Sequence, residues 1–146
     1  MILPDANLIL YAYDLESPFH TVAATWWTRC MSEVEPVGLT HVILFAFLRL
    51  STSPRVFANP FPLKDAIKEV RAWSEQPNTR ILPTSADHWQ RVCQVLCHAG
   101  GSGNLVTDAQ LAAFALEYRA TVHTADTDFQ RFSGVSWFNP ITRAAG

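Results

Sequence analysis

Residues 103–132 read GNLVTDAQLAAFALEYRATVHTADTDFQRF, and the order of their apolar and acidic positions decides the fold class. After a glycine-rich turn comes an Ala/Leu-rich helix, Ala109 to Tyr118, with Asp108 in its first turn. The β-branched run Thr121 to Thr124 is a strand, and it stops at Ala125-Asp126-Thr127-Asp128. The same alternation extends in both directions. Met1 to Pro4 is an apolar strand meeting Asp5 and Asn7, followed by a helical segment, Leu8 to Tyr13. Ser17-Pro18 opens a second helix, with Ser17 as N-cap, running through Trp26 and Trp27 to about Ser32. Val37 to Leu39 is strand-like, and Thr40 caps a helix from Val42 to Leu50 that is apolar nearly all round. An amphipathic helix follows Pro62-Leu63, and Thr79 to Leu82 is a strand. Ser85 or Asp87 caps a helix through Trp89, Val92, Val95 and Leu96, and Val135 to Phe138 is the last strand. Strands alternating with helices imply an α/β fold with a mostly parallel central sheet and helices on both faces.

At 146 residues the chain fits one domain, 1–146. Apolar residues make up 49% and charged residues 16%, so apolar surface is expected to be covered by a partner or a second copy. The net charge of −2, with only 11 Lys and Arg, excludes a module that binds nucleic acid by bulk electrostatics. It leaves room for a nuclease, whose metal-binding acids lower the net charge. Cys30, Cys93 and Cys97 cannot all pair within the chain, and they read as reduced, buried thiols in a cytoplasmic protein. The longest apolar run, Val42 to Leu48, is much shorter than the roughly 20 residues of a membrane span.

In an open α/β sheet, ligands collect beyond the carboxyl ends of the strands, near a switch in strand order. Asp5 ends the first strand, Asp126 and Asp128 follow the Thr121 strand, and Asp108 opens a helix, so all four fall at one edge. Each has a structural reading as a cap or turn residue. Their conjunction, without Lys, His or Cys beside them, points to oxygen-only ligation of Mg²⁺ or Mn²⁺ and to phosphoryl chemistry. Arg49, Arg55 and Arg131 are candidate phosphate contacts, and Asn104 either positions substrate or closes a turn. Glu117 reads as a helix-surface acid. No HExxH pair and no Ser/His/Asp signature is present.

The segments PDANLILYAY from Pro4, FLRLSTSPRVF from Phe47, residues 103–132 and GVSWFNP from Gly134 together resemble the PIN domain, and within it the VapC toxins of toxin–antitoxin pairs. The resemblance implies a three-layer PIN-like fold and a metal-dependent endoribonuclease. Asp5, Asp108 and Asp126 would hold the metal, and Asp128 would complete the catalytic set. It also implies an RNA substrate, a VapB-type antitoxin and a homodimer. One departure stands out: many relatives carry a Glu before the arginine matching Arg49, whereas Val42 to Ala46 contains no acid. The departure favours an alternative, a catalytically impaired module that binds RNA or antitoxin. A phosphatase of haloacid-dehalogenase type is a further rival, but Asp5-Ala6-Asn7 lacks its two-acid pattern.

Overall fold

The computed structural model describes residues 1–101 and 103–146. In chain order its elements are β1 (Ile2–Pro4), α1 (Ala6–Tyr13), α2 (His20–Ser32), β2 (Val37–Leu39), α3 (His41–Ser51) and α4 (Leu63–Ser74). There follow β3 (Thr79–Ile81), α5 (His88–Ala99), α6 (Leu105–Tyr118), β4 (Thr121–His123), a 3-10 helix (Thr127–Arg131) and β5 (Ser136–Phe138). The strands pair in parallel in the order β3-β2-β1-β4-β5. β1 and β2 are buried along their whole length, as apolar runs covered on both faces must be. Gly38 permits close interlocking across the sheet, because a Cβ there would meet the Leu3 and Leu82 side chains at 2.6 Å.

From β1 the chain moves outward to β2 and β3, then returns to β4 on the other side, so strand order reverses between β1 and β4. Right-handed crossovers put α1 to α4 on one face and α5, α6 and the 3-10 helix on the other. The packing agrees: α1 lies against α2 and α3, α3 against α4, and α5 against α6. Ile2 stands opposite Val37 and Thr121, and Pro4 opposite His123. This register brings Asp5, Thr40 and Thr124 level at the carboxyl edge. Among the described residues no helix is long and apolar enough to cross a membrane.

Several sequence expectations are corrected. The second helix begins at His20, because the Ser17 hydroxyl accepts from Phe19 N at 3.2 Å and its carbonyl from His20 N at 3.0 Å, forming a turn instead of a cap. Both tryptophans are buried. Trp26 Nε1 donates to His123 Nδ1 at 2.9 Å, and Trp27 packs edge-on against Trp73 with centroids 5.3 Å apart. Helix α3 is two-sided: Ile43, Leu44 and Phe47 face the core, while His41, Phe45 and Arg49 are exposed. Cys30 is buried, but Cys93 and Cys97 are exposed, since α5 turns Val92 inward. Glu117 is shielded: it accepts from the Ser85 hydroxyl and pairs with His88 Nδ1 at 2.9 Å, with Arg91 Nε at 3.6 Å. Ser85 is thereby engaged away from α5, whose N-cap is Asp87, without a side-chain cap bond. Helix α6 starts at Leu105, four residues before the expected Ala109. The predicted turn 99–104 includes Ser102, which lies outside the described residues.

Candidate active site

Asp5 occupies the N-cap position of α1 but makes no side-chain capping bond, so its carboxylate is left for other partners. Its backbone N–H continues the β1–β4 ladder by donating to His123 O at 2.9 Å. The side chain, 8% exposed, accepts from the fully buried Thr124 hydroxyl at 2.7 Å. That hydroxyl oxygen in turn accepts from Asp126 N at 2.9 Å and from Asn7 Nδ2 at 3.5 Å. Asn7 Oδ1 accepts from Ala125 N at 3.4 Å, tying the start of α1 to the chain leaving β4. Thr124 and Asn7 therefore set the relation between Asp5 and Asp126, a role that sequence reasoning did not assign to either. The only signal was their adjacency to the acids.

Asp126 caps the 3-10 helix by accepting from Asp128 N at 2.8 Å. Its structural reading holds, and the cap also fixes where its carboxylate sits. Asp108, in the first turn of α6, comes from the opposite side of the switch point. One carboxylate oxygen each from Asp108, Asp126 and Asp128 lies within 4.8 Å of the others. Asp5 stands outside this triplet, held by Thr124, yet its charge reaches Asp108.

Burial pushes the Asp5 carboxyl up from 3.8 to about 6, against the pull of the Thr124 hydroxyl and with a further rise from Asp126. Asp108 rises from 3.8 to about 7, by burial first and then by the charges of Asp5, Asp126 and Asp128. Two carboxylates about 4 Å apart repel by about 4 kcal/mol at an effective dielectric of 20. The donor set is all oxygen, and its mutual repulsion is what a divalent cation relieves, so Asp108, Asp126 and Asp128, with Asp5 behind them, fit such an ion. No residue of α3 joins the converging triplet, and Leu44 is buried in the core.

The other candidates lie elsewhere. Arg131 is spent on structure: Nη2 donates to Ala99 O at 3.1 Å and Nη1 lies 3.5 Å from Asp128. Asn104 is exposed and makes no capping bond to α6. Arg49 and Arg55 are exposed. A groove of about 690 Å³ opens between α2 and the β4–β5 side of the sheet, lined by Trp26, His123 and Phe138, and none of the four aspartates borders it. Burial drives His123 down to about 4, so it remains a neutral partner of Trp26 at pH 7.

A family model of the PIN domain matches residues 2–135. Ribonuclease VapC33 of Mycobacterium tuberculosis is 43% identical over 141 residues, covering 97% of this chain and 99% of that protein. Among solved structures, FitAcB of Neisseria gonorrhoeae superposes with a TM-score of 0.68 at 28% identity, covering 96% of this chain and 98% of the other. VapC20 of Mycobacterium tuberculosis, described as a sarcin–ricin loop cleaving toxin, superposes with a TM-score of 0.69 over 92% of this chain and 98% of its own. At 17% identity VapC20 speaks to the fold alone. With the carboxylates gathered at the β1/β4 switch point and a near full-length match to VapC33, the chain belongs to the PIN domain family, in its VapC branch.

Proposed function

We propose that this protein is the toxin of a toxin–antitoxin pair, an endoribonuclease that hydrolyses RNA phosphodiester bonds with a divalent cation. The observation that carries the reading is the convergence of Asp108, Asp126 and Asp128 beside the buried Asp5 at the sheet's switch point. The name ribonuclease borne by VapC33 supplies the substrate class. Asp5, Asp108 and Asp126 would hold the ion, with Asp128 completing the acid set, and residues 1–146 would act as one PIN domain.

When bound, the cation supplies Lewis acidity toward the phosphodiester and the attacking water. The protein's own part is positioning. Thr124 fixes the Asp5 carboxylate through its Oγ1 proton, Asn7 ties Ala125 to α1, and the Asp126 cap holds Asp128 in place. Hard oxygen donors fit Mg²⁺ or Mn²⁺. With no acid from α3, we infer one readily lost ion and better activity with Mn²⁺ at low metal. The assembly we propose is a cytoplasmic homodimer inhibited by a VapB-type antitoxin. Trp89, 66% exposed on α5 and more exposed than any other Trp or Phe among the described residues, is an apolar contact that such an assembly would cover.

The acid-free α3 favours a second reading, a binding module without catalysis, and one assay separates the two. A labelled single-stranded RNA is incubated with the wild type in Mn²⁺, with the wild type in chelator, and with Asp108→Asn in Mn²⁺. Cleavage in the first mixture alone, leaving 5′-phosphate and 3′-hydroxyl ends, is the expected result. Intact RNA in all three would establish the module, and equal cleavage by Asp108→Asn would remove this site from the chemistry.

A further inference from the structure

The groove of about 690 Å³ between α2 and the β4–β5 half of the sheet borders none of the four aspartates, and its volume falls within the roughly 300–1,000 Å³ of small-ligand sites. Its floor is aromatic. The β4–β5 register sets His123 beside Phe138, edge to face with ring centroids 5.1 Å apart, and the Trp26 ring of α2 lies 6.0 Å from that of His123. An indole N–H only donates, so the bond from Trp26 Nε1 to His123 Nδ1 leaves the imidazole proton on Nε2. That Nε2–H has no acceptor among the described residues and is not enclosed by protein, so it is a donor open to the groove.

The charges around the groove are unequally matched. Glu33 is paired with Arg29 Nε at 2.8 Å, and Glu35 with the N-terminal amine at 3.3 Å. Arg143 is left as the lining charge with no opposite partner among the described residues. The turn after β5 holds it at the rim. Asn139 Oδ1 accepts from Ile141 N at 2.9 Å and from Thr142 N at 3.3 Å, and Arg143 N donates to Asn139 O at 2.7 Å. The chain then returns antiparallel to β5, where Trp137 N donates to Gly146 O at 2.8 Å. Arg143 takes φ 63°, a left-handed hairpin position that glycine fills most easily, so a long cation stands where no side chain would be the simpler solution.

We propose that this groove binds a small planar aromatic molecule bearing one acidic group, its ring against Trp26, His123 and Phe138 and its acid at Arg143. Aromatic walls supply most of the contact, and a few convergent polar groups fix orientation. His123 Nε2–H donates to a heteroatom of the ring or its substituent. The Arg143 guanidinium can give a carboxylate or a phosphate two parallel hydrogen bonds, and as the cation without a partner it selects an acid over a neutral ring. A second copy or an apolar peptide fits less well, because either would cover Arg143 without neutralising it. The site stands apart from the ribonuclease reading and does not depend on it.

The test uses the full chain, labelled with nitrogen-15 and kept in chelator so that the acid cluster holds no ion. The indole N–H signal of Trp26, assigned by its loss in Trp26→Phe, reports on the groove through its bond to His123. The probes are indole-3-acetate and adenosine 5′-monophosphate, with indole-3-ethanol and adenosine as their neutral counterparts. At least one acid should shift the Trp26 signal and bind about 10-fold more tightly than its neutral counterpart. Preference for the indole acid identifies a carboxylate ligand, and preference for the nucleotide a phosphate-bearing one. Arg143→Gly keeps the fold, since glycine adopts this backbone conformation freely, and should bring the acid down about 10-fold to the affinity of the neutral ring. Phe138→Ala should weaken acid and neutral ring alike. Arg80→Ala, on β3 at the far edge of the sheet from β5, is the control for unspecific attraction and should leave binding as it is. No Trp26 shift with either acid at millimolar concentration would overturn the proposal, as would equal affinity for acid and neutral ring or unchanged binding in Arg143→Gly. A Trp26 signal that instead moves with protein concentration, as sedimentation reports self-association lost in Phe138→Ala, would make the groove an interface between copies and overturn it too.

Discussion

Replacing Asp5 by Asn removes one charge from a buried site while keeping the side-chain shape and an oxygen able to accept from Thr124. In the metal-free protein this charge is a liability: the carboxyl is pushed from 3.8 to about 6, and 2 pKa units correspond to about 3 kcal/mol. The sign follows from the raised value. Below about pH 3.8 the group is neutral in both folded and unfolded chains and contributes no penalty. As pH climbs through 6 the folded protein must ionise a buried acid, and stability is lost; above that the penalty is constant. Asp5→Asn escapes it but buries an amide N–H pair, so in chelator at pH 8 the variant should be more stable by roughly 1–3 kcal/mol. That gain is substantial against a typical total of about 5–15 kcal/mol. Urea unfolding with chelator at pH 4, 6 and 8 measures it, and the difference should open with rising pH. Added Mn²⁺ should reverse the order, because only the wild type retains the full acid set, and RNA cleavage by the variant should be lost. A variant less stable than wild type in chelator at pH 8, by a margin independent of pH, would refute the electrostatic account of Asp5.

Thr124→Val keeps the shape of the buried side chain but leaves Asp5 and Asp126 N without their shared hydroxyl; stability should fall by about 1–3 kcal/mol and cleavage should drop, whereas wild-type turnover would remove Thr124 from the site's support. Burial works against ionisation of Glu117, yet hydrogen bonds from Ser85 and His88 and the charge of Arg91 hold it below the usual carboxylate range. Its contribution is therefore present above the ordinary Glu value and lost as pH falls, so Glu117→Gln should flatten the acid limb of the stability curve; an unchanged limb would show the pairing to be inert. Calorimetric titration with Mn²⁺ should find one weak site in the wild type. In chelator, Leu44→Glu should lose about 2 kcal/mol or more by burying a carboxylate where Leu44 is 5% exposed. Two tight sites in the wild type would show that another residue already takes the place of the missing Glu.

Local patterning was enough to indicate the α/β alternation, because a β-branched run such as Thr121 to Thr124 and the apolar strands β1 and β2 carry their own periodicity and stop signals. It also placed Asp5, Asp108, Asp126 and Asp128 at strand ends or in a first helical turn, and the parallel sheet then gathers such positions at one edge. What a segment cannot encode is which distant atom its side chain meets. Thr124 holds Asp5 across 119 residues, and Trp26 meets His123 across 97, so neither link leaves a local trace. The same limit hid the burial of both tryptophans and the shielding of Glu117, whose partners Ser85 and His88 lie 32 and 29 residues away. The outward turn of Cys93 and Cys97 depended on how α5 is rotated against α6, and the exposed stack of His41 and Phe45 on which side of α3 the core claimed. Periodicity is a property of neighbouring residues, whereas register and helix rotation are set by packing between elements, and that packing exists only in the folded chain.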